Sequence, residues 1–290
     1  MKKVLLIGKT GQLGAEVMKD AFSFGFEIVG FEKEELDVTN YLQVKEKIEK
    51  IKPDIVINTS AYQVIPMCQE NPMEAMEVNF IAVLNLARIC KENDITFITY
   101  SSDYVFDGTK GVPNEEDDAP NPLQMYGMSK LAGEYAALHD YPDGVFIIRT
   151  CGLYGGKEGS LVKGNFVLNI IKEAEAKEII EVSCEQMVSP TYAGDLSKAT
   201  LRLLTSEAKP GIYHLVNEGV CSWYDFTREI FKLAGVTKEL KPVDRGGVDG
   251  KIKRPKFSAL KNTKAKALGI ELPSWKEGLS AYFNFLKDEQ

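Results

Sequence analysis

The chain has 290 residues, 44% of them hydrophobic and 27% charged, with a formal net charge of −7. That length suits one large domain or two closely packed lobes, and the composition is that of an ordinary soluble globular protein. The acidic balance argues against a nucleic-acid partner, no run approaches the roughly 20 apolar residues of a membrane span, and five scattered cysteines with two histidines offer neither a zinc site nor a disulfide framework.

Residues 4–8 (VLLIG) read as a buried strand. The glycine-rich turn that follows marks a first strand rather than an export signal, so a cytoplasmic location is expected. GQLGAEVMKDAFSFG opens a helix, EIVGF is a second strand, YLQVKEKIEKI a helix and DIVINTS a third strand. MEAMEVNFIAVLNLARICKEN reads as one long helix, ITFITY as a fourth strand, YGMSKLAGEYAALH as a helix and VFIIRT (145–150) as a fifth strand. Apolar strands alternating with amphipathic helices predict an α/β fold, a doubly wound Rossmann-type parallel sheet covered on both faces. The acidic, proline-rich piece 112–122 is a surface loop.

After Arg149 the pattern changes. A glycine-rich run (CGLYGGKEGSLVKGNF) leads to a helix (VLNIIKEAEAK), a short strand (EIIEV), a helix in SPTYAGDLSKATLRLL and a strand (GIYHLVN). A helix over CSWYDFTREIFKLAGV has Ser222 as N-cap, and the tail ends in an amphipathic helix with Trp275, Leu279, Tyr282, Phe283 and Leu286 on one side. The predicted division is a dinucleotide-binding domain over 1–150, to which 191–217 returns, and a smaller substrate lobe from the remainder of 151–290.

Two constellations carry chemistry. Gly8, Gly11 and Gly14 fall between the first strand and the first helix, where they allow a tight turn, backbone approach to a pyrophosphate, and close helix–strand packing. The cofactor is NADH or NADPH: Glu32 after the second strand would accept from a ribose 2′-hydroxyl, and Lys33 beside it would favour a 2′-phosphate. The second constellation is Ser102, just past the fourth strand, with Tyr126 and Lys130 four apart on one helix face. A hydroxyl, a phenol and an ammonium at a sheet's carboxyl edge deliver a proton, and beside a nicotinamide they reduce a carbonyl. Tyr41 and Lys45 share the same spacing on a surface helix and read as solvated charge.

Taken together, GKTGQLG (8–14), LDVTN (36–40), KPDIVIN (52–58), SSDYVFDG (101–108), YGMSK (126–130), RT (149–150), GNF (164–166), Q-x-x-x-PT (186–191) and RPKFSAL (254–260) resemble the dTDP-4-dehydrorhamnose reductase family of the extended short-chain dehydrogenase/reductases. The resemblance implies reduction of a nucleotide-linked 4-keto-6-deoxy sugar, with Ser102, Tyr126 and Lys130 catalytic. By the same resemblance Gly8, Thr10, Gly11, Gln12 and Leu13 border the pyrophosphate, Asp37 and Val38 the adenine, and Ser60, Ala61 and Asn79 the rest of the cofactor. Gln63, Ile65, Asp103, Tyr104, Phe106, Gly152, Asn165, Phe166, Gln186 and Arg254 are implied on the sugar-nucleotide side, Arg254 pairing with the diphosphate.

The pattern also departs from the family. Gly152 stands where the family usually has Trp, IPMCQ (65–69) where it has VDxAE, Glu185 where it has Asp, and Val188 where it has Gly. A smaller residue at 152 leaves space for a bulkier sugar, or a neighbouring side chain fills it. In the expected reaction Tyr126 protonates the ketone oxygen, Lys130 lowers the phenol's pKa from its usual value of about 10, and Ser102 donates to the carbonyl. No metal is expected, and a homodimer is the expected assembly if there is one. Rival readings are a non-catalytic NAD(P)-binding regulatory subunit and a sugar-nucleotide epimerase or dehydratase.

Overall fold

Five apolar runs of the first half become β1 (Lys2–Ile7), β2 (Phe26–Phe31), β3 (Ile55–Asn58), β4 (Thr96–Ser102) and β5 (Val145–Thr150) in a computed structural model that describes residues 1–156 and 164–288. They pair in parallel in the order β2-β1-β3-β4-β5. Val4, Leu6, Ile57, Ile98 and Ile148 enter one core, while Leu5, Ile7, Val56, Phe97 and Ile147 enter the other. That is a strand's period of two with both faces covered, so the strands read as continuous apolar runs.

The helices of this half are α1 (Gln12–Asp20), α2 (Tyr41–Ile51), α3 (Ile65–Glu70), α4 (Pro72–Met76), α5 (Ala82–Glu92) and α6 (Met125–Asp140). Leu13 and Val17 of α1 cover the first face, and Val44, Leu86 and Ala137 of α2, α5 and α6 cover the second. The single long helix expected before β4 is interrupted. Residues Glu77–Ile81 form a π-turn between α4 and α5, and α3, which the sequence reading missed, precedes Pro72. The cause lies at Asn79, whose side chain bonds outside the helix, as described below; such π-turns recur at functional sites.

In the second half come β6 (Leu153–Tyr154), α7 (Phe166–Ala176), β7 (Ile179–Ser183), β8 (Met187–Val188), β9 (Thr191–Tyr192) and α8 (Ala193–Thr205). Then β10 (Gly211–His214) pairs with β5 as the sixth parallel strand, and Leu196, Ala199 and Leu203 of α8 join the α1 core. Residues 157–163 of the glycine-rich run lie outside the described residues.

The remainder comprises β11 (Cys221–Ser222), α9 (Trp223–Ala234), β12 (Glu239–Val243), the short hairpin β13 (Val248–Asp249) and β14 (Ile252–Lys253), α10 (Thr263–Ala267) and α11 (Trp275–Asp288). Ser222 caps α9 as expected, its hydroxyl accepting from the Asp225 amide at 3.0 Å. Helices α7, α9 and α11 pack with the parallel pair β7–β12 around Phe226, Ile230, Leu279 and Tyr282, a separate core. No described helix is long and apolar enough to cross a membrane.

Candidate active site

The crossover from β1 leads one way, to β2, and the crossover from β3 leads the other way, to β4, so a crevice opens between the C-terminal ends of β1 and β3. Gly8 turns there with φ +89°, and a Cβ on Gly14 would lie 2.0 Å from the Gly8 carbonyl oxygen. The loop therefore folds back on the helix start as only glycines allow. Thr59, at the exit of β3, donates its hydroxyl to the Ile7 carbonyl at 2.8 Å and the Gly8 carbonyl at 3.1 Å. Helix α1 begins after Gly11 with no side-chain cap and no acidic residue in its first turn. Its free amides and dipole are available to an anion. Gln12 is buried with Oε1 unpartnered, Thr10 is exposed beside it and Leu13 is buried beneath. These residues fit a dinucleotide pyrophosphate.

Around this corner the Asp37 carboxylate accepts from the Thr39 amide at 2.9 Å and hydroxyl at 2.7 Å, and Val38 is buried. Glu32 is half-buried and Lys33 exposed, but the ion pair at the exit of β2 is Lys9–Glu35 at 2.6 Å, which the sequence reading did not single out. Ser60 donates to Asn58 Oδ1 at 2.5 Å, with Ala61 next to it. The buried Asn79 accepts from the Tyr62 amide at 3.0 Å and donates to the Tyr62 carbonyl at 2.9 Å and to Ser129 Oγ at 3.0 Å. Its amide is thus committed within the chain. It ties the Ser60–Tyr62 loop to α6 and leaves little of its own side chain for a cofactor.

Helix α6 carries Tyr126 to Ser102. Gln124 caps it by accepting from the Gly127 amide at 2.9 Å, and a Cβ on Gly127 would fall 2.1 Å from the Tyr104 carbonyl oxygen. That contact presses the first turn of α6 onto the end of β4. Ser102 lies beside the Tyr126 phenol, donates to Asp103 Oδ1 at 2.9 Å and accepts from the Tyr104 amide at 3.2 Å. The Ser102 hydroxyl therefore donates inward to Asp103 and must rotate to serve a carbonyl. Asp103 is 2% exposed. It also accepts from the Cys151 thiol at 3.1 Å and bonds Ser258, and burial pushes its carboxyl up against those three donors.

Burial likewise pushes the Tyr126 phenol up, with Ser102 the leading opposing group. Among the chain's own groups the low-polarity setting dominates this phenol. Lys130 is buried too. Burial lowers its pKa to about 8, while the charges of Glu134 and Cys68 act upward. Glu134 is clamped by Arg149 Nε at 2.9 Å and Nη2 at 2.6 Å, both side chains 1% exposed, and the guanidinium lies 5.1 Å from the Phe106 ring centre. Lys130, Glu134 and Arg149 form a buried row of alternating charge that sequence reading missed. Glu134 sits four residues after Lys130, the spacing that could have found it.

On the opposite side Tyr104 meets Tyr126 edge-on, ring centres 6.0 Å apart. Its hydroxyl accepts from Arg254 Nη1 at 2.8 Å. Asp249 holds the same guanidinium through Nε at 3.1 Å and Nη2 at 2.8 Å, so Arg254 is a tethered group of the β13–β14 hairpin and not a solvated loop charge. A groove of about 510 Å³ opens there, lined by Arg254, Lys253, Lys256, Asp107 and Leu123 among others.

Other residues expected on this side form its frame. Phe106 is buried against His214. Asn165 caps α7, accepting from the Leu168 amide at 2.9 Å and donating to the Gly155 carbonyl at 3.0 Å and Tyr282 Oη at 2.9 Å. With Asp103 these two are buried beneath the cleft instead of facing it, because their polar atoms or rings are committed to neighbours. Gln186 is buried just before β8, and Gln63 and Ile65 are half-buried at the approach to α3. Gly152 has φ +54°, and a Cβ on it would lie 3.1 Å from Trp223 Cη2; Phe166 packs against that indole at a 37° tilt with ring centres 4.4 Å apart.

Residues 1–287 match the RmlD substrate binding domain family. The spore coat polysaccharide biosynthesis protein SpsK of Bacillus subtilis is 33% identical, the match covering 97% of each chain. A crystal structure of a dTDP-4-dehydrorhamnose reductase from Clostridium acetobutylicum superposes with a TM-score of 0.92 at 33% identity, covering 98% of this chain and 99% of that one. The chain belongs to the dTDP-4-dehydrorhamnose reductase family. A further member, from Bacillus anthracis and solved in complex with NADP, has a TM-score of 0.91 at 32% identity, covering 98% and 99% of the two chains. Against the reductase family pattern, the missing indole at Gly152 has its space taken by Trp223, so of the two outcomes open in the sequence a neighbour fills the gap.

Proposed function

We propose that this chain is an NAD(P)H-dependent reductase of a nucleotide-linked 4-keto-6-deoxy sugar, with dTDP-4-dehydrorhamnose as substrate and dTDP-rhamnose as product. The observation that carries the reading is the Tyr126 phenol beside Ser102, which is itself hydrogen-bonded to Asp103, at the carboxyl edge of β4, with the uncapped α1 start and Gly8 turn at the end of β1. A nicotinamide dinucleotide held there supplies the hydride. The relative solved with NADP supports the phosphorylated cofactor.

Tyr126 gives its phenolic proton to the sugar oxygen as negative charge develops there, and Ser102, turning from Asp103, stabilises that oxygen. Lys130, charged below about pH 8, holds positive charge beside the phenol and returns it to the protonated form. Arg254 binds the diphosphate through a guanidinium already oriented by Asp249. In this reading residues 1–150 and 191–217 hold the cofactor, and the rest of 151–290 holds the sugar nucleotide. The test is NADPH consumption on adding the dTDP-linked 4-keto-6-deoxy sugar. Stoichiometric loss of NADPH with formation of the alcohol is expected. Tight NADPH binding with no turnover would favour a regulatory subunit, and a changed sugar without NADPH loss would favour an epimerase or dehydratase.

A further inference from the structure

We infer that Trp223, backed by Phe166, is a specificity-determining residue: its indole is the surface against which the methyl group of the 6-deoxy sugar rests, and it selects against a hydroxyl at that carbon. This rests on the reductase reading above. The argument begins with position. Ser102 and Thr150 are register partners at the ends of β4 and β5, and Cys151, the next residue, bonds Asp103. Gly152 follows, and the Trp223 six-membered ring covers it, with Cη2 at 3.1 Å and Cζ2 at 3.7 Å from the place of a Cβ. The indole therefore stands two residues from the strand end that faces the proton-donating group.

Its placement is fixed. Trp223 is the first residue of α9, directly after the Ser222 cap, and β11 before it pairs with β8. The ring spans two apolar clusters, one holding Phe226 and Ile230 and the other Val105, Cys151 and Val188. Phe166, at 4.4 Å, and Phe226, at 6.0 Å, support it from behind. Phe226 is fully buried, whereas Trp223 and Phe166 keep part of their surface open. A partly open aromatic pair, with an apolar cluster on one side and covering a glycine two residues beyond the end of β5, suits the C–H face and methyl of a deoxysugar. A hydroxyl at the same carbon loses water there without gaining a partner.

The test compares two non-reducible ligands with the configuration of the product that differ only in the 6-hydroxyl, dTDP-L-rhamnose and dTDP-L-mannose, as inhibitors competing with the keto-sugar. The parent protein is expected to prefer the deoxy ligand by roughly 10-fold or more, the range of one group in an apolar pocket. Trp223→Ala should bring the ratio to about threefold or less, while Trp223→Phe and Phe166→Leu narrow it part of the way. Affinities for dTDP and NADPH should stay unchanged, which also reports that each variant is folded. An unchanged ratio in a folded Trp223→Ala, or in both milder variants should that one not fold, overturns the inference while leaving the reductase reading in place. A parent protein that binds NADPH but reduces no keto-sugar overturns the reductase reading instead.

Discussion

Lys130 and Glu134 set the residue-scale behaviour of the site. Burial brings Lys130 to about 8 and the Glu134 charge holds it from falling further. The ammonium is present below that pH and is lost as pH rises through it. The alkaline limb of kcat/KM should fall near 8, and Glu134→Gln should move that limb to lower pH, because it removes the opposing charge. A purely structural Glu134 would lower the melting temperature and leave the limb in place. Arg254→Ala should weaken sugar-nucleotide binding at least roughly 10-fold with NADPH affinity unchanged, the loss of a charge-assisted pair. Equal losses for both ligands in titration calorimetry would assign Arg254 to the frame. Ser102, Tyr126 and Lys130 were legible because a strand end and an i,i+4 spacing are local patterns. Asp103 as the acceptor for Ser102, and Arg149 as the clamp on Glu134, were not, since they depend on which side of a strand end each residue meets.

Among the elements, α6 is the one whose position decides the chemistry. Its first turn can approach β4 only because Gly127 has no side chain, the place of a Cβ being 2.1 Å from the Tyr104 carbonyl oxygen. Gly127→Ala must push the turn away, and displacing Tyr126 by even about 1 Å should lower turnover by roughly 10²-fold. Circular dichroism and a turnover assay on the same sample would check it, and full activity in a folded Gly127→Ala would contradict the positioning role. The strands of the sheet and their parallel type could be read from buried apolar runs, while their order in the sheet could not. The break of the predicted long helix into α4, a π-turn and α5 could not. It follows from Asn79 reaching the Tyr62 backbone and Ser129, contacts 17 and 50 residues away in the chain. Similarly, Gly152 by itself left two outcomes open, and only the path of α9 shows that Trp223 occupies the space.

The whole molecule is held around His214 and the Arg149–Glu134 pair. The His214 imidazole is fully buried at the end of β10, and its Nδ1 faces the Asn114 and Lys261 carbonyl oxygens at 3.1 and 3.2 Å. It thus joins the acidic loop and the tail to the sheet. Burial, with the nearby Arg149 charge, pushes it down to about 3. The unfolded chain binds a proton near pH 6.5 that the folded one refuses, so this group's contribution is complete above 6.5 and declines as pH falls toward 3, by about 1.4 kcal/mol per unit. Urea denaturation at pH 7 and pH 5 should show that decline, with the His214 imidazole remaining neutral by NMR at pH 5; titration near 6.5 would contradict it. The return of β10 to the sheet makes this junction, and the strand was recognisable in the sequence.

The central claim is that the Tyr126 phenol gives a proton to a nucleotide-linked keto-sugar while reduced nicotinamide dinucleotide is consumed. Its most direct test is single-turnover NADPH oxidation with the dTDP-linked 4-keto-6-deoxy sugar, in the parent chain and in Tyr126→Phe. The account predicts rapid oxidation in the parent and a fall of roughly 10²–10⁴-fold in the variant with NADPH affinity kept. Oxidation at the parent rate in Tyr126→Phe would contradict it.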